Sequence, residues 1–235
     1  YAITLAYRGS NFSGWQVQKN APSIQAAVQN AVEKVFGTRL DVTGCSRTDS
    51  GVHALGYVCH IESEKLIDTE KLPLALNMHL PQDISAISAR LEKADFHARY
   101  SALGKEYVYY IRNSRIRSPF DAGLSYQYPF ELDVERLGEL GRAYVGKHDF
   151  RAFMSAGSKI TDTVRTVYYF NVCEDKGVVQ ITVGANGFLY NMVRIIAGAL
   201  IYIGQGKLDE ECITRAIETG NRLELGITAP AAGLE

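Results

Sequence analysis

The chain has 235 residues, 46% of them hydrophobic and 22% charged, with a formal net charge of −1. That length and balance suit one large or two small domains with a real core, and they exclude a disordered chain. The apolar stretch at 188–203 is broken by Asn191 and Arg194 and falls short of the roughly 20 residues a bilayer span needs, so no membrane span is expected.

Residues 1–7 alternate as a strand. Ser23 is placed to cap a helix whose apolar set is Ile24, Ala27, Val28, Ala31, Val32, Val35 and Phe36, and Gly37 closes it. Strand-like runs follow at 40–46 and 54–61, then a helix near 69–79 and a strand near 84–91. The order β-α-β-β-α-β is the ferredoxin-like pattern. The second half repeats it. Residues 107–112 read as a strand, and Asp133 can cap a helix with Val134, Leu137, Leu140 and Tyr144 on one face. A hairpin of 164–174 and 178–184 turns around Asp175-Lys176-Gly177. An apolar helix from Phe188 and a short amphipathic helix over 209–219 follow, and the closing strand of the pattern would lie just beyond Glu235. The expected class is therefore α/β (α+β): two tandem ferredoxin-like halves, 1–95 and 96–235, with their sheets side by side around a central cleft.

The opening residues lack a basic segment followed by an apolar run, so no signal peptide is expected. The missing initiating Met and the end directly after Gly233-Leu234 point to a chain trimmed at both ends. Cys45, Cys59, Cys173 and Cys212 are scattered without a C-x-x-C pair, which fits reduced thiols in a cytoplasmic protein and supports neither a zinc site nor a disulfide framework. Charge is segregated: between His97 and Phe120, five cations (Arg99, Lys105, Arg112, Arg115, Arg117) face one carboxylate, Glu106. That local +4 leaves −5 for the remainder.

Three stretches could carry chemistry. In Gly44-Cys45-Ser46-Arg47-Thr48-Asp49-Ser50-Gly51-Val52-His53-Ala54, Arg47 and Asp49 lie two apart, on one face of an extended segment. A guanidinium beside a carboxylate keeps it ionised, as a nucleophile requires. Taken alone, an Asx-type turn at Asp49 with Arg47 in a surface ion pair is the more economical explanation, and His53 reads as a turn or core histidine. Next, Phe96-His97-Ala98-Arg99-Tyr100-Ser101 leads into Lys105-Glu106-Tyr107-Val108-Tyr109-Tyr110, with Lys105, Tyr107 and Tyr109 on one strand face. Aromatics interleaved with Arg112, Arg115 and Arg117 suit nucleic acid, and internal packing of the tyrosines explains the strand equally well. Finally, Arg194 is the one charge on a strongly apolar helix and either snorkels to water or is held by a buried carboxylate, for which Asp49 is a candidate. His148-Asp149-Phe150 is weaker, since a capping Asp accounts for it.

Taken in order, the pieces resemble one family. Tyr7 with Gly9, Phe12 and Gly14-Trp15-Gln16-x-Gln18 is similar to the opening of the tRNA pseudouridine synthase A family, and Arg47-Thr48-Asp49-x-Gly51-Val52-His53-Ala54 to its central signature. Phe96-His97-Ala98-Arg99-x-Ser101-Ala102, Lys105-x-Tyr107-x-Tyr109, Gly146-x-His148-Asp149-Phe150, Phe188-Leu189-x-x-Met192-Val193-Arg194 and Pro230-Ala231-x-Gly233-Leu234 follow in family order. The resemblance spans essentially the whole chain. It implies the pseudouridine synthase fold and isomerisation of uridine to pseudouridine at positions 38, 39 and 40 of the tRNA anticodon stem-loop, by a cytoplasmic homodimer. It implies Asp49 as the catalytic aspartate and Tyr107 as the tyrosine against the target base, with Tyr109 the alternative two residues on. Arg194 would pair with the carboxylate and Arg47 would extrude the nucleotide. Arg99, Arg112, Arg115, Arg117 and Leu234 complete the expected substrate contacts. Ser46 stands where many members have Gly, and the family's final strand lies beyond Glu235. No cofactor or metal is expected, in keeping with the lack of a phosphate loop or dinucleotide fingerprint. A glycosidic-bond hydrolase is the poorer reading, because no second carboxylate lies near Asp49 in sequence.

Overall fold

The computed structural model describes residues 1–158 and 160–235. The chain forms two compact units, Tyr1–Ala102 and Leu103–Glu235. The first extends past residue 95, because the turn after Phe96 is tied to it: Ala98 N–H donates to Nδ1 of the buried His60 at 3.2 Å.

In the first unit, strand β1 (Ala2–Tyr7) buries Ile3, Leu5 and Tyr7 on one face by simple alternation. Helix α1 (Ile24–Phe36) starts where Ser23 Oγ accepts the Ala26 N–H at 3.3 Å and ends at Gly37, whose φ of 78° lets its N–H reach Glu33 O. Its stripe of Ile24, Val28, Ala31, Val32 and Phe36 packs on the sheet, each large side chain contributing roughly 1.5–3 kcal/mol of burial. Strands β2 (Thr43–Gly44) and β3 (Ala54–His60), helix α2 (Lys71–Asn77) and strand β4 (Ile84–Arg90) follow. The sheet order β2-β3-β1-β4, antiparallel throughout, is that of the ferredoxin-like unit. The run expected at 40–46 pairs over two residues only, because the backbone beyond Gly44 leaves the ladder for a loop held by side chains.

The second unit keeps the same skeleton and adds edges. Its elements are β5 (Lys105–Asn113), β6 (Tyr126–Tyr128), α3 (Val134–Gly141), β7 (Gly146–Asp149), β8 (Val164–Asp175), β9 (Val178–Ala185), α4 (Met192–Gly204) and α5 (Cys212–Thr219), with sheet order β6-β5-β9-β8-β7. Asp133 caps α3 by accepting the Arg136 N–H at 2.9 Å. The short strands β6 and β7 have no counterpart in the sequence reading. Helix α4 begins at Met192 rather than Phe188, because Asn191 adopts the left-handed conformation, φ 63°, which asparagine tolerates. Helix α5 likewise starts at Cys212, after a turn in which the Cys212 N–H meets Asp209 O. At the closing-strand position, Leu234 bridges Tyr109 and Glu235 exchanges two 2.9 Å backbone bonds with Val108, on the edge of β5 that β6 also uses. Among the described residues no helix is long and apolar enough to cross a membrane.

Candidate active site

The nine residues 45–53 that join β2 to β3 are fixed mainly by groups from the turn at 7–15. Trp15 N–H donates to Thr48 O at 3.1 Å, and Gly51 N–H to Phe12 O at 3.2 Å. The Tyr7 hydroxyl and Thr48 Oγ1 are 3.0 Å apart, Ser50 Oγ donates to Phe12 O at 3.3 Å, and the Tyr57 hydroxyl donates to Ser46 O. Gly9 N–H donates to His53 Nδ1 at 3.1 Å, so that nitrogen carries the lone pair and a neutral ring has its proton on Nε2. Two glycines make the approach possible. A Cβ on Gly9 would collide with Val52 O, and one on Gly14, where φ is +91°, would collide with Thr48 O and sit 3.0 Å from the Asp49 carbonyl carbon. The main chain turns at Asp49, where Val52 N–H donates to Asp49 O at 3.2 Å. Thr48 is buried, Asp49 half-buried and Arg47 exposed, so the loop ties down its neutral residue and presents its charged ones.

The second unit gathers Tyr107, Tyr109, Arg194 and Leu234 around β5 and α4. Tyr107 is half-buried and meets Phe188 edge-on at 5.0 Å. Tyr109 has no exposed surface, and its hydroxyl donates to Pro230 O at 2.8 Å. Burial pushes its phenol above the ordinary range, with the nearby Arg194 charge opposing. Leu234 is buried beside it, and a Cβ at Gly233 would come within 2.7 Å of the Tyr109 ring, so the 230–234 segment clasps this tyrosine. Of the two rings on this face, Tyr107 is the one with surface left for a ligand. Arg194 Nε donates to Ala229 O at 2.8 Å and Nη1 to Asn191 Oδ1 at 2.7 Å. Asn191 in turn donates to Ser155 Oγ at 2.9 Å. Two neutral acceptors that sequence reasoning did not identify thus help to orient the guanidinium.

The basic strip is divided. Arg112 is taken up internally, in an ion pair with Asp121 and a 2.7 Å bond to Lys176 O in the β8–β9 turn. Arg115 and Arg117 are exposed on the connection to β6. Arg99 is exposed in the first unit, its guanidinium 5.7 Å from the centroid of Tyr100, whose ring lies tilted against His97 at 4.3 Å. Asp149 accepts from Arg151 N–H at 3.0 Å and Thr163 Oγ1 at 2.6 Å, the capping role already allowed for it. Among the described residues no three His, Cys, Asp or Glu side chains could hold a metal ion.

A family model described as tRNA pseudouridine synthase matches residues 3–101 and 141–235. The chain is 42% identical over 232 residues to the tRNA pseudouridine synthase A of Thermoanaerobacter sp. (strain X514), covering 99% of this chain and 95% of that protein. It is similar at 44% over 233 residues to the protein of that name from Ruminiclostridium cellulolyticum, with the same coverage. The Listeria innocua protein of that name is 41% identical over 237 residues, covering 100% of this chain and 96% of its own length.

Proposed function

The chain belongs to the tRNA pseudouridine synthase A family, whose members isomerise uridine to pseudouridine, and from that premise we propose that Asp49 is the nucleophile acting on uridines 38, 39 and 40 of the tRNA anticodon stem-loop. The observation that carries the assignment is the setting of Asp49: the one carboxylate of loop 45–53, half-buried, in a loop fixed through its backbone at Ser46, Thr48 and Gly51 and through the ring of His53. Such fixation supplies the orientation that a covalent step needs.

The C1′–N1 bond breaks, the uracil turns in its pocket, and a C1′–C5 bond forms. C5 loses a proton and N1 gains one, so atoms and electrons balance without an oxidant or an energy source. Asp49 attacks sugar C1′ or pyrimidine C6, and both routes use the same ionised oxygen. By the family resemblance, Arg194 is the cation that keeps the nucleophilic carboxylate charged. Tyr107 stacks on the detached base and assists removal of the C5 proton. A paired or stacked nucleotide must first be flipped out at a cost of a few kcal/mol, which Arg47 offsets in part. The exposed Arg99, Arg115 and Arg117 contact phosphates. The family resemblance supports a homodimer, in which basic surfaces from two copies line one tRNA path. The four cysteines are free thiols, in keeping with action in the cytoplasm.

The test is pseudouridine formation in an unmodified tRNA transcript, mapped by position, for wild type and Asp49→Ala. Product at the anticodon-stem uridines should fall at least ~10³-fold in the variant, with tRNA affinity within about twofold. Full turnover by Asp49→Ala would end the assignment.

A further inference from the structure

We propose that Tyr57 is a positioning residue for the reaction: its hydroxyl, by holding Ser46 O, sets the direction in which the Asp49 carboxylate points. The inference rests on Asp49 being the reacting group.

Tyr57 lies on β3, buried to 4% exposure, with its ring stacked on Trp15 at 4.2 Å and tilted against Tyr7 at 5.5 Å. Phenylalanine would fill that volume equally well. What distinguishes tyrosine is the hydroxyl, which crosses to the opposite segment and donates to Ser46 O, three residues before Asp49. The slot is built for it. A Cβ on Gly44 would collide with the hydroxyl and stand 2.7 Å from the Trp15 ring, so a glycine backbone is needed where the bond is made. Burial keeps the phenol above its ordinary range, which leaves the hydroxyl protonated, and hence a donor, at working pH.

One bond would act as a pivot, but there are two. Tyr7 meets Thr48 Oγ1 at 3.0 Å, and Trp15 N–H fixes the carbonyl of the same residue. Ser46 and Thr48 are thereby anchored on either side of Arg47, and Thr48 directly precedes Asp49. Misplacing a reacting group by about 1 Å costs roughly 100-fold in rate. Freedom at Ser46 would move Asp49 by that order while leaving Arg99, Arg115 and Arg117, which lie outside the loop, where they are.

Tyr57→Phe deletes the donor and keeps the ring. Pseudouridine formation under saturating tRNA should slow about 10- to 100-fold, with tRNA Kd within twofold and a melting temperature that keeps the protein folded at the assay temperature. Tyr7→Phe, which removes the second anchor, should act in the same direction. A kcat within twofold of wild type, or a rate loss matched by equal loss of tRNA affinity, would overturn the proposal, since a packing role predicts no separate effect on kcat. Asp49→Ala in the same assay separates the two failures. If it is inactive while Tyr57→Phe is normal, only the positioning role falls; if it is active, the nucleophile assignment falls.

Discussion

The two units use the same β-hairpin in opposite ways. In the second, β8 and β9 run 12 and 8 residues and are joined by two, Lys176 and Gly177, both in the left-handed region with φ of 50° and 74°. In the first, the corresponding strand β2 has two residues and the connection to β3 has nine. A ladder closed by a tight turn satisfies its backbone along the strands, and the two turn carbonyls left over, Lys176 O and Gly177 O, are taken up by Arg112 and Asn113 of β5. A short ladder releases its backbone, which must then be satisfied otherwise: Trp15, Phe12 and Tyr57 take up the backbone groups of Thr48, Gly51 and Ser46, while Tyr7 and Gly9 hold the side chains of Thr48 and His53. A hairpin becomes a place for chemistry when its order comes from outside itself.

That contrast can be broken most severely at Gly14. Alanine there faces both a forbidden φ and the Thr48 carbonyl, so Gly14→Ala should cost about 3 kcal/mol in urea unfolding and depress turnover as the loop loses its clamp. Gly37→Ala is the control. Its φ is also positive, yet a Cβ would meet nothing within 4 Å, so roughly 1 kcal/mol and normal turnover are expected. The other hairpin can be sharpened instead: Lys176→Asn suits the first position of its turn and should stabilise by about 0.5–1 kcal/mol without changing activity, read as a rise in melting temperature. The smallest effect is a pH slope in the first unit. Burial, aided by His97, holds His60 below its ordinary 6.5, and its Nδ1 accepts the Ala98 N–H. The unfolded chain thus binds a proton that the folded unit refuses, so stability is whole above pH 6.5 and declines as the pH falls through the depressed value. Urea midpoints at about pH 7.5 and about pH 5.5 should differ in that sense, and His60→Asn, which keeps an acceptor, should flatten the difference.

The features legible in the sequence are those written locally. Ser23, Gly37 and Asp133 mark helix ends through bonds to residues three or four away, and each acts as expected. The Asp175-Lys176-Gly177 turn is as local. The candidate loop was legible as an unusual string with a family precedent, but its supports were not. Tyr7 and Thr48 are 41 residues apart and Gly9 and His53 are 44 apart, and no spacing rule links them. Strand alternation placed Tyr107 and Tyr109 on one face and could not tell that the 230–234 segment would enclose only the second. The run of cations could not reveal that Arg112 pairs with Asp121, because that depends on how the 114–125 connection folds back. Strands of three and four residues carry too few alternations to be seen.

Strand β5 has one more lesson. Eight residue pairs tie it to β9, and the opposite edge exchanges two bonds with Glu235. A strand cannot be displaced by part of a residue, and a slip of one would exchange Tyr107 for Val108 and break every pair at once. The placement of Tyr107 is therefore digital. Damage to this unit should leave each molecule either correct or silent, so in single-turnover experiments it appears as a smaller amplitude at an unchanged rate constant. Injury to the side-chain-held loop of the other unit is analogue, and its signature is a slower rate at full amplitude.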